Sequence, residues 1–551
     1  MFVRFKKNSE GRIYLQIVES YREKGKSRQR VLCTLGRLDL LQEDGSLESI
    51  CAGLSRFSEK IALIGECRKA AQKPAKTRCI GPVIVFEKLW QQTQLHWILK
   101  QQQCGRKHTF SLERAIFVTV LHRLCVSGSD RAAEHWKQKY AIAGAEKIDL
   151  QHLYRAMAWL GEELDSEQQE GRTPFSPRCV KDEIEEALFK ARRDLFSSLA
   201  LVFFDTTSIY FEGEGGDELG ERGHNKDHRP DLKQMVVGIV LDQSGNPLCS
   251  EMWPGNTADV KTLVPIAGRL KRRFGIERVC VVADRGMISE ESKAQITQLG
   301  WQYILGVRMR RQKMVKEEVL SRAGRYEEVH TVSANKKDPA PLKVKEVIHE
   351  GVRYIVCVNE TEVTVQQSAR EAIVSSLREQ LKKSEKQLIG NKGYRKYLTT
   401  EGGRHFVIDE EKIKEEARYD GKWVLTTNTD LPAAEVAMKY KQLWTVEAIF
   451  RTMKSTLQTR PVYHKCNETI RGHVFCSFLA LVLRKEMEDR LSAKGVVGIE
   501  WSQLMEDLEQ LQAVEVELSG KRFILRSECR GQSGKVIQVI GASLPPTLRK
   551  V

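Results

Sequence analysis

Two stretches decide the fold: Leu199-Ala-Leu-Val-Phe-Phe-Asp205 and Glu277-Arg-Val-Cys-Val-Val-Ala-Asp284. Each holds an unbroken apolar run that stops at an aspartate, the pattern of a strand buried on both faces. Around them, Lys233–Leu241 and Pro247–Trp253 read as strands joined by the turn Asp242-Gln-Ser-Gly-Asn246. Thr257–Phe274 and Glu290–Leu299 read as helices, and Trp301–Val307 as a fifth strand. The order β-β-β-α-β-α-β predicts an α/β fold with a mixed sheet and crossover helices. Open α/β sheets collect ligands at the carboxyl ends of their strands, which is where this reading puts Asp205 and Asp284.

A third acid lies in the stretch from Met438 to Ser455, which reads as one amphipathic helix. Leu443, Val446, Phe450, Met453 and Leu457 recur at three- and four-residue steps and form an apolar stripe. Tyr440, Glu447 and Lys454 are spaced by seven, so a phenol, a carboxylate and an amine share one side at intervals of about 10 Å. A solvated helix face carries the same pattern. The chemical alternative is that Asp205, Asp284 and Glu447 converge. Three carboxylates suffice to hold two Mg²⁺ (or Mn²⁺) ions for an in-line phosphoryl transfer.

At 551 residues the chain is too long for one core, and about two to four domains are expected. The 89 Lys and Arg against 73 Asp and Glu leave a net charge of +16, which favours a polyanionic partner such as nucleic acid. The 13 cysteines include no Cys-x-x-Cys pair, which argues against a disulfide framework or a zinc site. No apolar run reaches membrane-spanning length and the N-terminus has no signal-peptide core, so a cytoplasmic protein without a membrane partner is expected.

Residues 1–42 read as a small antiparallel β unit. Its basic hairpin tip (Arg22, Lys24, Lys26, Arg28, Arg30) either touches phosphates or is a soluble turn. Residues 43–198 are helical, with a turn at Ser127-Gly128-Ser129 that fits a helix-turn-helix reader or an ordinary bundle. Residues 199–307 hold the strands quoted above. Residues 308–425 read as a β-rich insertion that opens on the basic run Arg308–Lys316 and carries a charged helix over Gln366–Leu388. Residues 426–490 return with the Glu447 helix, and 491–551 close the chain without a chemical motif.

These residues resemble bacterial insertion-sequence transposases of the DDE class, whose catalytic core is ribonuclease-H-like. More narrowly, Tyr440, Glu447 and Lys454 are similar to the Tyr-x2-Arg-x3-Glu-x6-Lys signature of the insertion-sequence-four superfamily, with Leu443 where the arginine stands. Asp205-Thr-Thr-Ser-Ile-Tyr-Phe-Glu-Gly213 resembles that family's first-acid block and Val282-Ala-Asp-Arg-Gly286 its second. Lys226-Asp-His-Arg-Pro-Asp-Leu-Lys-Gln234, Gly255-Asn-Thr-Ala-Asp259 and Arg460-Pro-Val-Tyr-His464 resemble further blocks in the same order, so the likeness covers roughly residues 200–480.

The resemblance implies that Asp205, Asp284 and Glu447 are catalytic metal ligands for Mg²⁺ or Mn²⁺. Tyr440, Lys454, Arg451, Lys226 and Arg229, with His228, are implied or candidate DNA contacts, though ion pairing and packing fit them too. Trp253 and Trp444 either stack on an extruded base or pack in the core. The expected function is a transposase that binds the terminal inverted repeats of its mobile element as a homodimer, cleaves DNA and joins it to target DNA. In this reading residues 43–198 bind DNA ends and the protein works in the bacterial cytoplasm, on the nucleoid. A transposase-derived DNA-binding regulator and a ribonuclease-H-like nuclease are the alternatives.

Overall fold

The computed structural model describes residues 2–23, 26–55, 76–103, 108–170, 172, 176–192, 201–223, 226, 229–276, 279–287, 289–329, 342–383, 395–401, 405–518 and 521–550. The chain forms two compact units. One comprises Met1–Ile80, Glu509–Arg530 and Leu544–Val551, the other Gly81–Leu508 and Gly531–Ser543.

In the first unit, β1 (Phe2–Lys7), β2 (Ile13–Glu23) and β3 (Lys26–Arg37) form an antiparallel sheet. The hairpin expected near residue 25 is the β2–β3 pair, with Arg22 opposite Ser27, and Lys24 lies outside the described residues. β4 (Lys76–Cys79) belongs to a second sheet, completed by the C-terminal strands Gln512–Leu518, Lys521–Arg526 and Leu548–Lys550.

A mixed nine-stranded sheet runs through the second unit. Its strands begin with β5 (Leu201–Tyr210), β6 (Gln234–Asp242), β7 (Pro247–Pro254), β8 (Cys280–Ala283) and β9 (Gln302–Gly306). There follow β10 (Glu327–Val329), β11 (Leu342–His349) and β12 (Val352–Asn359), then a separate ribbon of β13 (Leu398–Glu401) and β14 (His405–Ile408), and finally β15 (Lys422–Thr427). The spatial order is β10-β11-β12-β15-β9-β8-β5-β6-β7. Only β5–β8 and β8–β9 are parallel. β5 does not stop at Asp205, as its apolar run led us to expect. It continues to Tyr210 because Thr206–Tyr210 stay paired with β6 after β8 has ended. β10, β11, β12 and β15 likewise extend the main sheet: β15 covers the free edge of β9, with Leu425 opposite Gly306. The charged helix of this region begins at Glu360 rather than Gln366, because the Asn359 side chain accepts from the backbone N–H of Thr361 (3.0 Å) and caps it.

Side-chain alternation along β5 sends Val202 and Phe204 to one face, into a core with the helices Leu263–Phe274 and Glu290–Gln298. The opposite face packs against the helices Ala433–Lys441 and Trp444–Arg451. The helix Asn467–Ala493 is buried at every position from Ile470 to Leu483. It is enclosed by Gly81–Gln92, Leu112–Cys125 and Leu150–Leu160, so the early helices and the end of the sheet-bearing region share one core. Gly472 allows the closest approach, since a Cβ there would collide with the Met157 carbonyl.

Between the helix Val180–Arg192 and the sheet lies a buried charge cluster. Arg273 donates to Glu185 (2.9 Å), Glu186 (2.8 Å) and the Asp182 carbonyl (2.8 Å). Lys181 bonds Asp182 at 2.6 Å and the Ser250 carbonyl at 2.7 Å, and Arg269 pairs with Glu251. Burial pushes the Asp182 carboxyl up, but the Lys181, Arg273 and Arg269 charges outweigh it and hold Asp182 below the usual range. Removing one member strands its partners without water. Arg273→Met should therefore destabilise the protein by about 3–5 kcal/mol, measured as a lower urea midpoint with an unchanged slope.

Candidate active site

The parallel pairing of β5 with β8 sets Phe204 opposite Ala283. The next residues on the two strands are Asp205 and Asp284, so the register places the two acids side by side, about 4.8 Å apart along the hydrogen-bonding direction. Both have the parity of Phe203 and Val282 and face the side covered by the helices Ala433–Lys441 and Trp444–Arg451. Thr206 N–H donates to Asp205 Oδ1 (2.7 Å), and among the described residues Asp205 forms no ion pair with a lysine or arginine. Burial raises the Asp205 carboxyl to about 6 and the charges of Asp284 and Asp259 add to this, against the opposing Lys226 charge and the Thr206 N–H.

Tyr440 reaches the same place. Its hydroxyl donates to Asp284 Oδ1 at 3.0 Å. Burial, reinforced by the adjacent Asp284 charge, holds the phenol far above its ordinary range, so it remains a donor. Gly306, at the end of β9, makes room for the ring: a Cβ there would run into the Tyr440 hydroxyl. Lys226 folds inward, with Nζ 2.7 Å from the Thr206 carbonyl and 3.2 Å from Asp259 Oδ2. Asp259 also accepts from Thr206 Oγ1 at 2.7 Å. It is a fourth acid that the strand-end argument missed; its only signal was its place closing Gly255-Asn-Thr-Ala-Asp259.

Residues 197–483 match the family model described as "Transposase DDE domain". The chain belongs to the DDE transposase family. Residues 2–68 match a second model, "IS1634 family transposase, N-terminal domain", which makes this an insertion-sequence DDE transposase. No curated protein matches the chain.

The third candidate acid of the transposase sits differently from the sequence expectation. Met438–Ser455 is not one helix: Ala433–Lys441 ends, Gln442 and Leu443 turn, and Trp444–Arg451 begins anew before a π-turn over Thr452–Thr456. The two segments pack on different strands, Ala433–Lys441 on β8, β9, β11 and β12 and Trp444–Arg451 on β5, and a twisted sheet is not followed by one straight helix. Leu443 is the buried joint between them. The seven-residue stripe therefore breaks: Tyr440 turns in to Asp284, whereas Glu447 is exposed on the segment packed against β5.

Of the proposed DNA contacts, Arg451 is exposed and Lys454 half-buried in the π-turn. Arg229 pairs with Asp231 (2.9 Å) and lies 5.8 Å from the Tyr210 ring, and His228 is outside the described residues. Trp253 is fully buried against Phe204 and is a core residue, while Trp444 is 61% exposed.

Hard carboxylate oxygens, those of half-buried Asp205 without an ion-pair partner among the described residues, suit a divalent ion such as Mg²⁺ or Mn²⁺. A second cluster, Asp130, His464 and His473, suits it less. Arg123 donates to His473 Nδ1 at 2.9 Å and so uses the lone pair a metal would need, while His464 Nε2 lies 3.3 Å from Asp130.

Two outcomes follow from this geometry. Between pH 4 and 6 the native transposase holds more protons at Asp205 than the unfolded chain, so the contribution of Asp205 to stability falls as pH rises through that window. Asp205→Asn should raise the thermal midpoint of metal-free protein at pH 7.5 by an amount equivalent to about 2–3 kcal/mol, the gain vanishing near pH 4 in scanning calorimetry. Tyr440→Phe removes the donor that orients Asp284 and should raise the Mg²⁺ concentration for half-maximal DNA cleavage by about 10–100-fold, with Gly306→Ala acting in the same direction.

Proposed function

We propose that this protein binds the terminal inverted repeats of its own mobile element, cleaves the DNA at each end and joins the freed 3′-hydroxyl to target DNA. The observation that carries the reading is the pair Asp205 and Asp284, adjacent at the end of a parallel strand pair inside the segment matched by the DDE model. Glu447 completes the acid set from the helix over β5. The α/β sheet is read as ribonuclease-H-like, residues 308–425 as an insertion into it, and the Glu447 segment as the signature of the insertion-sequence-four superfamily.

Asp205, Asp284 and Glu447 would hold two divalent ions. Bound there, the ions would acidify the attacking water or 3′-hydroxyl and stabilise the leaving oxygen. The chain's own part is to present the carboxylates deprotonated and oriented. Tyr440 supports this by fixing Asp284, and Lys226 by lowering the proton affinity of Asp205. In the hydrolytic step a water oxygen bonds to phosphorus, the P–O3′ bond breaks and the 3′-oxygen leaves with a proton. In the joining step that 3′-hydroxyl attacks a target phosphodiester and a target 3′-oxygen leaves. Lys454, Arg451, Lys226 and Arg229 are assigned to DNA phosphates, residues 43–198 to the ends, and a homodimer to pairing them.

The test is Glu447→Gln, assayed with Mg²⁺ on a duplex taken from the DNA flanking the gene. Cleavage should drop at least about 100-fold while the dissociation constant for the same duplex without metal stays within about twofold. Undiminished cleavage would overturn the assignment, and binding without cleavage by the wild-type protein would favour a regulator.

A further inference from the structure

A groove of about 380 Å³ opens beside Asp284, lined by Arg285, Gly286, Arg308, Met309, Arg310 and Arg311. Four arginines thus line one groove together with Asp284. The wall is built rather than incidental. Arg308 donates from Nε to the Arg285 carbonyl and from Nη2 to the Gly286 carbonyl, both at 3.1 Å. These bonds pin the segment after β9 onto the turn that follows Asp284. Arg311 N–H closes a tight turn on the Arg308 carbonyl at 2.9 Å. The Arg310 guanidinium lies 5.0 Å from the Tyr419 ring centroid, with Nε 3.3 Å from Glu416. Arg285 and Arg311 are exposed, and among the described residues neither forms an ion pair.

Arg273, Arg370 and Arg471 each face carboxylates. Here Arg310 pairs with Glu416, whereas Arg285, Arg308 and Arg311 form no ion pair among the described residues, which leaves a field that an anion would relieve. The chemistry of the lining selects the anion. Forked guanidinium donors match phosphate oxygens. Among the described residues that line the groove none is aromatic, so it offers no ring on which a nucleobase could stack. A backbone of repeated phosphates fits this better than a free nucleotide, and Asp284 ties the groove to the acids.

We propose that this arginine groove grips the phosphate backbone of the DNA strand that continues from the phosphate presented to Asp205 and Asp284. The proposal deepens the transposase reading and rests on it for the identity of the strand. It assigns a binding role to the basic run after β9, which the reaction itself does not use.

The experiment compares full-length wild-type protein with the double variants R310A/R311A and R310K/R311K, without divalent metal, across a range of KCl concentrations. The probes are a duplex from the DNA flanking the gene and an unrelated duplex of equal length. Each lost phosphate contact should flatten the plot of log affinity against log salt by about 0.9, so the alanine pair should lose about two units of slope. The lysine pair, which keeps the charge, should retain the wild-type slope. A loss on the flanking duplex alone identifies the strand as the element's end, and a loss on both extends the grip to target DNA. An unchanged slope on both probes, or a loss that lysine does not recover, overturns the proposal. Failure of the transposase reading would appear separately, as absent Mg²⁺-dependent cleavage by wild-type protein whose metal-free slope is intact.

Discussion

The parallel register between β5 and β8 is the constraint on which the site depends. Because Phe204 pairs with Ala283, the first residues past β8's pairing are two carboxylates at the same level of the sheet. A shift of one residue would send Asp205 to the other face, among the apolar side chains around Trp253 and Ile266. That register is itself held from both sides. Val202, Phe204, Val281 and Ala283 are locked in one core, and Phe203 and Val282 are buried beneath the helices on the other face.

Bringing two acids together in a half-buried place is costly, and the surroundings show how the chain manages the cost. Desolvation and the neighbouring carboxylates raise the proton affinity of Asp205, while Lys226 opposes them. Asp259 spends its charge on Lys226 and Thr206. Tyr440 satisfies one oxygen of Asp284 with a neutral donor, which orients the carboxylate without cancelling its charge. Just beyond the acids the balance reverses in the arginine groove. Negative groups gathered where a cation would sit, with positive groups along the path leading away, are complementary to a phosphodiester strand carrying its own counterions.

Much of the fold was legible in order. The apolar runs of β5 and β8, the β6–β7 turn at Asp242 and the helix ending at Phe274 appear where periodicity and turn residues put them. Glu447, Tyr440 and Lys454 were also legible as chemically suggestive residues. Their geometry was not. A seven-residue spacing implies one face only while the helix is straight, and no proline or glycine at Gln442-Leu443 announced the break. Trp253 shows the same limit: one sequence does not separate a tryptophan that stacks on a base from one that fills a core.

By itself the sequence determined which segments become buried strands, which residues bring carboxylates and guanidinium groups, and the resemblance to DDE transposases. These are local properties, carried by side-chain period and residue type. Only the tertiary structure decided which of those residues meet. It set Asp205 beside Asp284, gave Tyr440 a hydrogen bond to Asp284, brought in Asp259, and folded the basic run after β9 against the turn behind the second acid. The physical reason is that strand register, sheet twist and the pinning of one turn on another are set by contacts between residues far apart in the chain, on which local periodicity is silent.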